Sequence, residues 1–182
     1  MISEEIIERN RKEIIKLLRS TGREGIERVI KYLDDSGFFY VPSSVNRHHN
    51  WKGGLAQHSL GVYRQAMRIN TNLPHESVII SALLHDLCKA HVLYYDANGR
   101  IRRHHTHIKG HGSRSVRLLQ ILNFHLTEDE YIAIRWHMLS RHSEQGDTDG
   151  AIKARTLPLW IAVHTADKKD ARKGAPVYKM CC

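Results

Sequence analysis

The stretch from Val78 to Asp86 constrains this chain more than any other, because an apolar helical run ends on an adjacent imidazole and carboxylate, His85 and Asp86. Val78, Ile79, Ile80, Ala82, Leu83 and Leu84 mark a segment buried on every side, and they predict a central helix over residues 76–87. An ionised carboxylate beside an imidazole in such surroundings is costly unless another group compensates it. A bound metal ion is a compensation that uses both residue types as they stand. The chain must then fold so that further nitrogen and oxygen donors reach the end of this helix.

Most of the chain reads as amphipathic helix. Residues 4–20 carry Ile6, Ile7, Ile14, Ile15, Leu17 and Leu18 near helical spacing, with Ser3 as N-cap. Residues 23–35 turn Ile26, Val29, Ile30 and Leu33 inward, and Gly37 ends that helix. Pro42 keeps residues 38–46 out of a helix interior, so this segment is expected to be extended or loop. A helix is expected over 55–70 after the Gly53-Gly54 pair, others over 113–124 and 128–139, and a last one over 159–171. Thr127 and Glu130 form a capping-box pattern at the start of the 128–139 helix. Residues 140–150 read as loop. Val92 to Tyr95, the turn residues Asp96 to Gly99 and the return Arg100 to Arg103 predict a small hairpin. The expectation is an all-α bundle with a β-hairpin excursion near 92–103. One domain is expected over 1–182: N-terminal helices in 1–36, a core in 48–171 and a basic tail in 172–182.

Composition narrows the partners. A formal net charge of +9 favours anionic ligands such as nucleotides, phosphate esters or nucleic acid. Fourteen histidines in 182 residues make a metal site worth testing. The three cysteines, Cys88, Cys181 and Cys182, form no Cys-x-x-Cys pair, so no structural zinc signature is present, and a reducing cytoplasm suits them. No apolar run is long enough for a membrane span, and the acidic N-terminus does not resemble an export signal.

His58, His85, Asp86, His111, His137 and Asp167 sit on or at the ends of successive apolar helices. Their gaps correspond to about one helix plus one connection, which is how a bundle delivers one group per helix to a shared centre. Any one of these histidines alone is more often a hydrogen-bonded core residue. Six together, with an adjacent His-Asp pair, favour a centre with mixed nitrogen and oxygen ligands and room for one or two divalent ions. Asp86 can bridge two ions through its two oxygens. The donor set favours Fe, Mn, Co or Zn, with Mg less favoured by four histidines.

The ordered set His58…His85-Asp86…Asp167 resembles the HD-domain superfamily of metal-dependent phosphohydrolases. Local motifs match as well: Gly53-Gly-Leu-Ala-Gln-His58, Leu83-Leu-His-Asp-Leu-Cys-Lys89, Gly110-His-Gly-Ser-Arg-Ser-Val116, Ile134-Arg-Trp-His137 and His164-Thr-Ala-Asp167. The likeness spans about residues 48–170. It implies an all-α bundle with His58, His85, Asp86 and Asp167 on a first metal. His111 and His137 match the two extra histidines of the subgroup that binds two metals. Cys88 departs from the family's usual glycine at a position that is not a ligand.

Further residues are expected around the site. Lys89 either neutralises a substrate phosphate or pairs with a nearby carboxylate. Arg114 is a phosphate-binding candidate, and Asp86, Lys89 and Arg114 are expected to take part in the chemistry. His49 precedes His58 at a spacing also seen in HD-type 3′–5′ exoribonucleases, and it is expected to touch substrate or support a ligand. Trp51 is a base-stacking candidate or a core residue, and His48 reads as exposed. The basic run with Arg102, Arg103, His104, His105 and His107 either grips phosphate oxygens or is a solvated loop. His142 rivals His137 as a ligand. The expected activity is hydrolysis of a phosphate ester of a nucleotide or related small molecule by metal-activated water. The alternatives are a di-iron oxygenase on the same fold, a 3′–5′ exonuclease on single strands, and a regulatory module without turnover. The absence of an interleaved aromatic platform weighs against the exonuclease.

Overall fold

The computed structural model describes residues 2–69, 72–104, 110–139 and 148–173. The chain opens with helix α1 (Glu4–Ser20), whose first turn is capped by the Ser3 hydroxyl accepting from Ile6 N at 3.3 Å. Ile7, Ile14 and Leu18 form its buried stripe. Helix α2 (Ile26–Asp35) follows and buries Ile26, Val29, Ile30 and Leu33. Turns carrying the buried Phe38 and Phe39 lead to α3 (Gly54–Ile69).

Helix α4 (His75–Leu84) is the axis of the molecule. Every residue from Ser77 to Leu84 is buried, and the helix touches α1, α3, α7 and α9. A short α5 (Lys89–Val92) runs into strand β1 (Leu93–Tyr95), which pairs antiparallel with β2 (Ile101–Arg103). Then come α6 (His111–Ile121), α7 (Glu128–Arg135), α8 (Thr148–Thr156) and α9 (Pro158–Lys173). The expected all-α bundle with a small hairpin is what the chain forms.

Two apolar clusters meet along α4. Ile79, Ile80, Leu83 and Leu84 join α1, α2, Phe38 and Phe39 in one. Val78 and Ala82 join Val62 and Ala66 of α3, Ile132 and Ala133 of α7, and Val163 and Ala166 of α9 in the other. The C-terminal end of α4 is thereby fixed from several sides. The buried Glu130 of α7 adds a polar tie: it takes Arg23 Nη1 at 2.8 Å, Ser77 Oγ at 2.9 Å and Thr127 N at 2.9 Å. The last of these completes the expected capping box.

Three expectations shift. The central helix stops at Leu84, short of Leu87, and α7 stops at Arg135, short of Leu139. Helix α8 occupies part of the stretch read as loop, anchored by the buried Ala154. The end of the basic tail, residues 174–182, lies outside the described residues, as do His105, His107 and His142. Among the described residues no helix is long and apolar enough to cross a membrane.

Candidate metal centre

Both early helix ends have the same cause. His85 follows α4, and its Nδ1 lies 2.8 Å from the Ala82 carbonyl; His137 follows α7, and its Nδ1 lies 2.7 Å from the Ile134 carbonyl. Carbonyls of a last helical turn lack intrahelical partners, and here an imidazole N–H satisfies one. The backbone then tightens, with Leu87 N donating to Leu84 O at 3.2 Å and Leu139 N to Trp136 O at 2.8 Å. Each ring is thus held in the tautomer that protonates Nδ1 and leaves an Nε2 lone pair pointing inward.

His58, on α3, adds a third such nitrogen. The Nε2 atoms of His58, His85 and His137, together with Asp86 Oδ1, are buried and have no hydrogen-bond partner. They converge on two carboxylates. His58 Nε2 lies 3.1 Å from Asp167 Oδ1 and 3.7 Å from Asp86 Oδ2, while His85 Nε2 lies 3.3 Å from Asp86 Oδ2 and 3.9 Å from Asp167 Oδ1. His137 Nε2 faces the other oxygen, Asp86 Oδ1, at 3.6 Å. Donor atoms sharing one ion at ordinary zinc–ligand lengths sit about 3.0–3.5 Å from one another. The triads His58/His85/Asp167 and His85/Asp86/His137 therefore have the spacing and chemistry to hold a metal ion.

Electrostatics point the same way. Burial, the largest influence on His58, opposes its charge, but Asp167 and Asp170 outweigh it and lift the pKa to about 9. Burial likewise opposes ionisation of Asp86, yet nearby Lys89 and His85 hold that carboxyl well below its usual range. Asp167 is held low against burial by the His58 ring, whose Nε2 faces its Oδ1 at 3.1 Å. Two buried carboxylates facing imidazole lone pairs call for positive charge, supplied by protons or by a cation.

Beside the centre opens a cleft of about 620 Å³, within the range of small-ligand sites. Asp86, Asp167, His111 and His137 line it, and among the described residues Arg47, Lys89, Arg103 and Lys168 are the cations around it. Lys89 lines the cleft and makes the carboxylate pairing that was one of its two expected roles, with Asp86 Oδ2 at 2.5 Å.

Other expected residues fall less directly. His111 opens α6 and reaches the cleft because Gly112 lets α6 press on α7; a Cβ there would stand 2.2 Å from Arg135 O. Its Nδ1 is 3.0 Å from Arg114 Nη2, and among the described residues it belongs to none of the close donor triads, the third of which is His49/His58/Asp170. Arg114 does not line the cleft, so its link to the centre runs through His111. His49 is buried behind His58, with Nε2 3.6 Å from Asp170 Oδ2. Trp51 packs on His49 at 5.1 Å between ring centroids and donates to Gln57 Oε1 at 2.9 Å, away from the cleft. Of the basic run, Arg103 faces the cleft, Arg102 binds Asp96 of the hairpin turn at 2.8 Å, and His104 stacks on Tyr94.

Sequence reasoning missed Arg47 and Lys168 of the cleft wall and two further groups. His48, expected to be exposed, is half-buried in the cleft wall, its ring 4.9 Å from that of His58 and its Nε2 shielded without a partner. Burial, reinforced by His58 and Lys89, lowers its pKa to about 3, so it is neutral. Asp170, one helical turn beyond Asp167, contacts His58 from behind. The one sequence signal for it was that shared helix face.

A family model for the HD domain matches residues 55–172, and the chain belongs to that family. The chain is also 23% identical over 149 residues to the dihydroneopterin 2′,3′-cyclic phosphate phosphodiesterase of Methanocaldococcus jannaschii. That match covers 78% of this chain and 55% of the relative, so the chain spans about half the length of the curated relative it matches. No solved structure matches the chain.

Proposed function

We propose that this protein is a metal-dependent phosphohydrolase acting on a phosphate ester of a nucleotide-like small molecule. One observation carries the reading: three inward imidazole lone pairs and two buried carboxylates adjoin a cleft ringed by Arg47, Lys89, Arg103 and Lys168. His58, His85, Asp86 and Asp167 are the donors for a first ion. His137 faces the second oxygen of Asp86 and, with His111, is the donor pair for a second ion. A bound transition-metal ion of the Fe, Mn, Co or Zn type supplies a water of lowered pKa as nucleophile and Lewis acidity toward the phosphoryl oxygens.

The chain's own residues do the rest. Lys89 and Arg103 offset charge on the phosphate, and Lys168 and Arg47 hold the remainder of an anionic substrate. His48, neutral and lining the cleft, offers a ring N–H to an ester or phosphoryl oxygen. The name of the archaeal relative supports including cyclic phosphodiesters among the substrates.

The test is metal analysis of protein purified without added metal, followed by a screen of nucleoside monophosphates, 2′,3′-cyclic phosphates and a labelled oligonucleotide. The expected result is hydrolysis of a small ester, abolished by a chelator and retained under anaerobic conditions, with the oligonucleotide intact. Asp86→Ala should lose metal and turnover together. Turnover that requires oxygen, or an Asp86→Ala protein that is metal-free and fully active, overturns the reading.

A further inference from the structure

Three histidines turn an Nε2 lone pair toward the carboxylates, but they are oriented by different means. His85 and His137 stand just past helix ends and donate Nδ1–H to the loose carbonyls of Ala82 and Ile134. His58 lies inside α3, where nearby carbonyls are engaged in the helix ladder. It needs a partner from elsewhere in the chain. That partner is Asp170 of α9, whose Oδ2 lies 2.8 Å from His58 Nδ1, both groups being buried.

The fold makes room for this contact at a specific place. Helices α3 and α9 form the most extensive helix pair among the described residues, and Gly61 of α3 faces Asp170. A Cβ at position 61 would stand 2.0 Å from Asp170 Oδ1 and 2.5 Å from its Cγ. Any larger residue there would push the carboxylate off His58. His49 closes the other side, with Nε2 3.6 Å from the same Oδ2. Asp167 and Asp170, one turn apart on α9, thus take opposite edges of one imidazole: Oδ1 of Asp167 faces Nε2, and Oδ2 of Asp170 holds Nδ1.

We infer that Asp170 is a positioning residue of the metal centre: it fixes His58 in the Nδ1-protonated tautomer and makes it a more electron-rich donor than His85 or His137. The inference rests on the metal reading proposed above. A carboxylate in this place raises the basicity of the ring it holds, whereas a peptide carbonyl carries no net charge to do so. Gly61 is the slot that admits it.

The test compares wild type with Asp170→Asn, which keeps the volume and an oxygen acceptor but removes the charge. Zinc affinity is read by competition with a chromophoric chelator, and folding is read from the unfolding midpoint of the metal-free proteins. The expected result is a roughly 10–100-fold weaker zinc site in Asp170→Asn. Gly61→Ala should weaken zinc in the same direction by displacing the carboxylate. The visible spectrum of the cobalt-loaded proteins should differ between wild type and Asp170→Asn, a change that a loss of packing alone does not produce. Equal zinc affinity and equal cobalt spectra in a folded Asp170→Asn protein overturn the inference. Wild-type protein that draws no zinc from the chelator sinks the underlying metal reading instead. If the variants do not fold, zinc-loaded wild type with ¹⁵N-labelled histidine decides: His58 must show a protonated Nδ1 and a metal-bound Nε2, and metal on Nδ1 overturns the inference.

Discussion

Lys89 Nζ lies 2.5 Å from Asp86 Oδ2, the same oxygen that faces His85 Nε2 at 3.3 Å and His58 Nε2 at 3.7 Å. The ammonium therefore occupies one side of a carboxylate whose other contacts are metal-type donors. Metal and Lys89 compete for the charge of Asp86, while the cleft position of Lys89 suits it to an anionic substrate. Replacing Lys89 with Met should then separate two effects. Metal affinity is expected to stay level or rise, because a competing cation is gone. The kcat on a phosphate ester is expected to fall by roughly 10²–10³, the usual loss for one transition-state charge partner. Chelator competition and steady-state kinetics on one preparation read both. A variant that loses metal in proportion to activity makes Lys89 a support of the carboxylate and nothing more.

His48 gives the second prediction. The residue lines the cleft, its Nε2 is shielded and lacks a partner, and the ring is neutral because burial, His58 and Lys89 disfavour the cation. A hydrogen bond to an ionic group contributes about 1.5–3 kcal/mol. His48→Ala should therefore keep its metal content and lose roughly 10–100-fold in kcat/KM. Metal analysis beside kinetics makes the distinction. Unchanged kcat/KM would leave His48 as wall packing.

Much of this arrangement is legible in the sequence, and the reasons are local. His85-Asp86 stands out because an ionisable pair closes an apolar run, and a residue pattern along one helix shows that directly. The same holds for His58, His137 and Asp167, each embedded in an apolar helical segment, and the structure brings all of them together. What the sequence hides is tertiary. Asp170 meets His58 across 112 residues, and the contact depends on Gly61 facing α9, which no spacing rule reveals. His48 looks like half of an exposed doublet until the turns before α3 fold it against His58. Helix α8 escapes a periodicity reading because its packing rests on small residues such as Ala154, not on a large apolar stripe. The ends of α4 and α7 are misjudged because apolar patterning continues past the point where a histidine side chain takes the last carbonyl.

The third prediction concerns stability remote from the centre. Glu130 is fully buried, and Arg23 reaches it at 2.8 Å and 3.2 Å while also donating to His125 O at 2.7 Å. Removing one partner of a buried ion pair leaves the other charge uncompensated, at a cost of about 3–5 kcal/mol. Arg23→Ala should lower the unfolding free energy by about that amount in urea titrations, with metal affinity of the folded fraction unchanged. A loss below about 1 kcal/mol would place this pair with weak surface pairs.

The last prediction links metal and pH through His58. Its pKa is lifted from 6.5 to about 9 because Asp167 and Asp170 outweigh burial. Metal binding at Nε2 requires the deprotonated nitrogen. Between pH 6.5 and about 9, zinc uptake should therefore release a proton from His58, and apparent affinity should climb across this window and flatten above it. The stability of the metal-free protein runs the other way. A folded-state pKa above the unfolded one gives stability that is complete below pH 6.5 and is lost as pH rises through about 9. The melting temperature of metal-free protein should fall over that interval, and zinc-saturated protein should not follow it, since the ion replaces the proton as the partner of Asp167. Calorimetric titration in buffers of different ionisation enthalpy measures the proton release, and thermal scans with and without zinc measure the divergence. A metal-free protein whose melting temperature rises from pH 6.5 to 9 would show that the charge sits on some group other than His58.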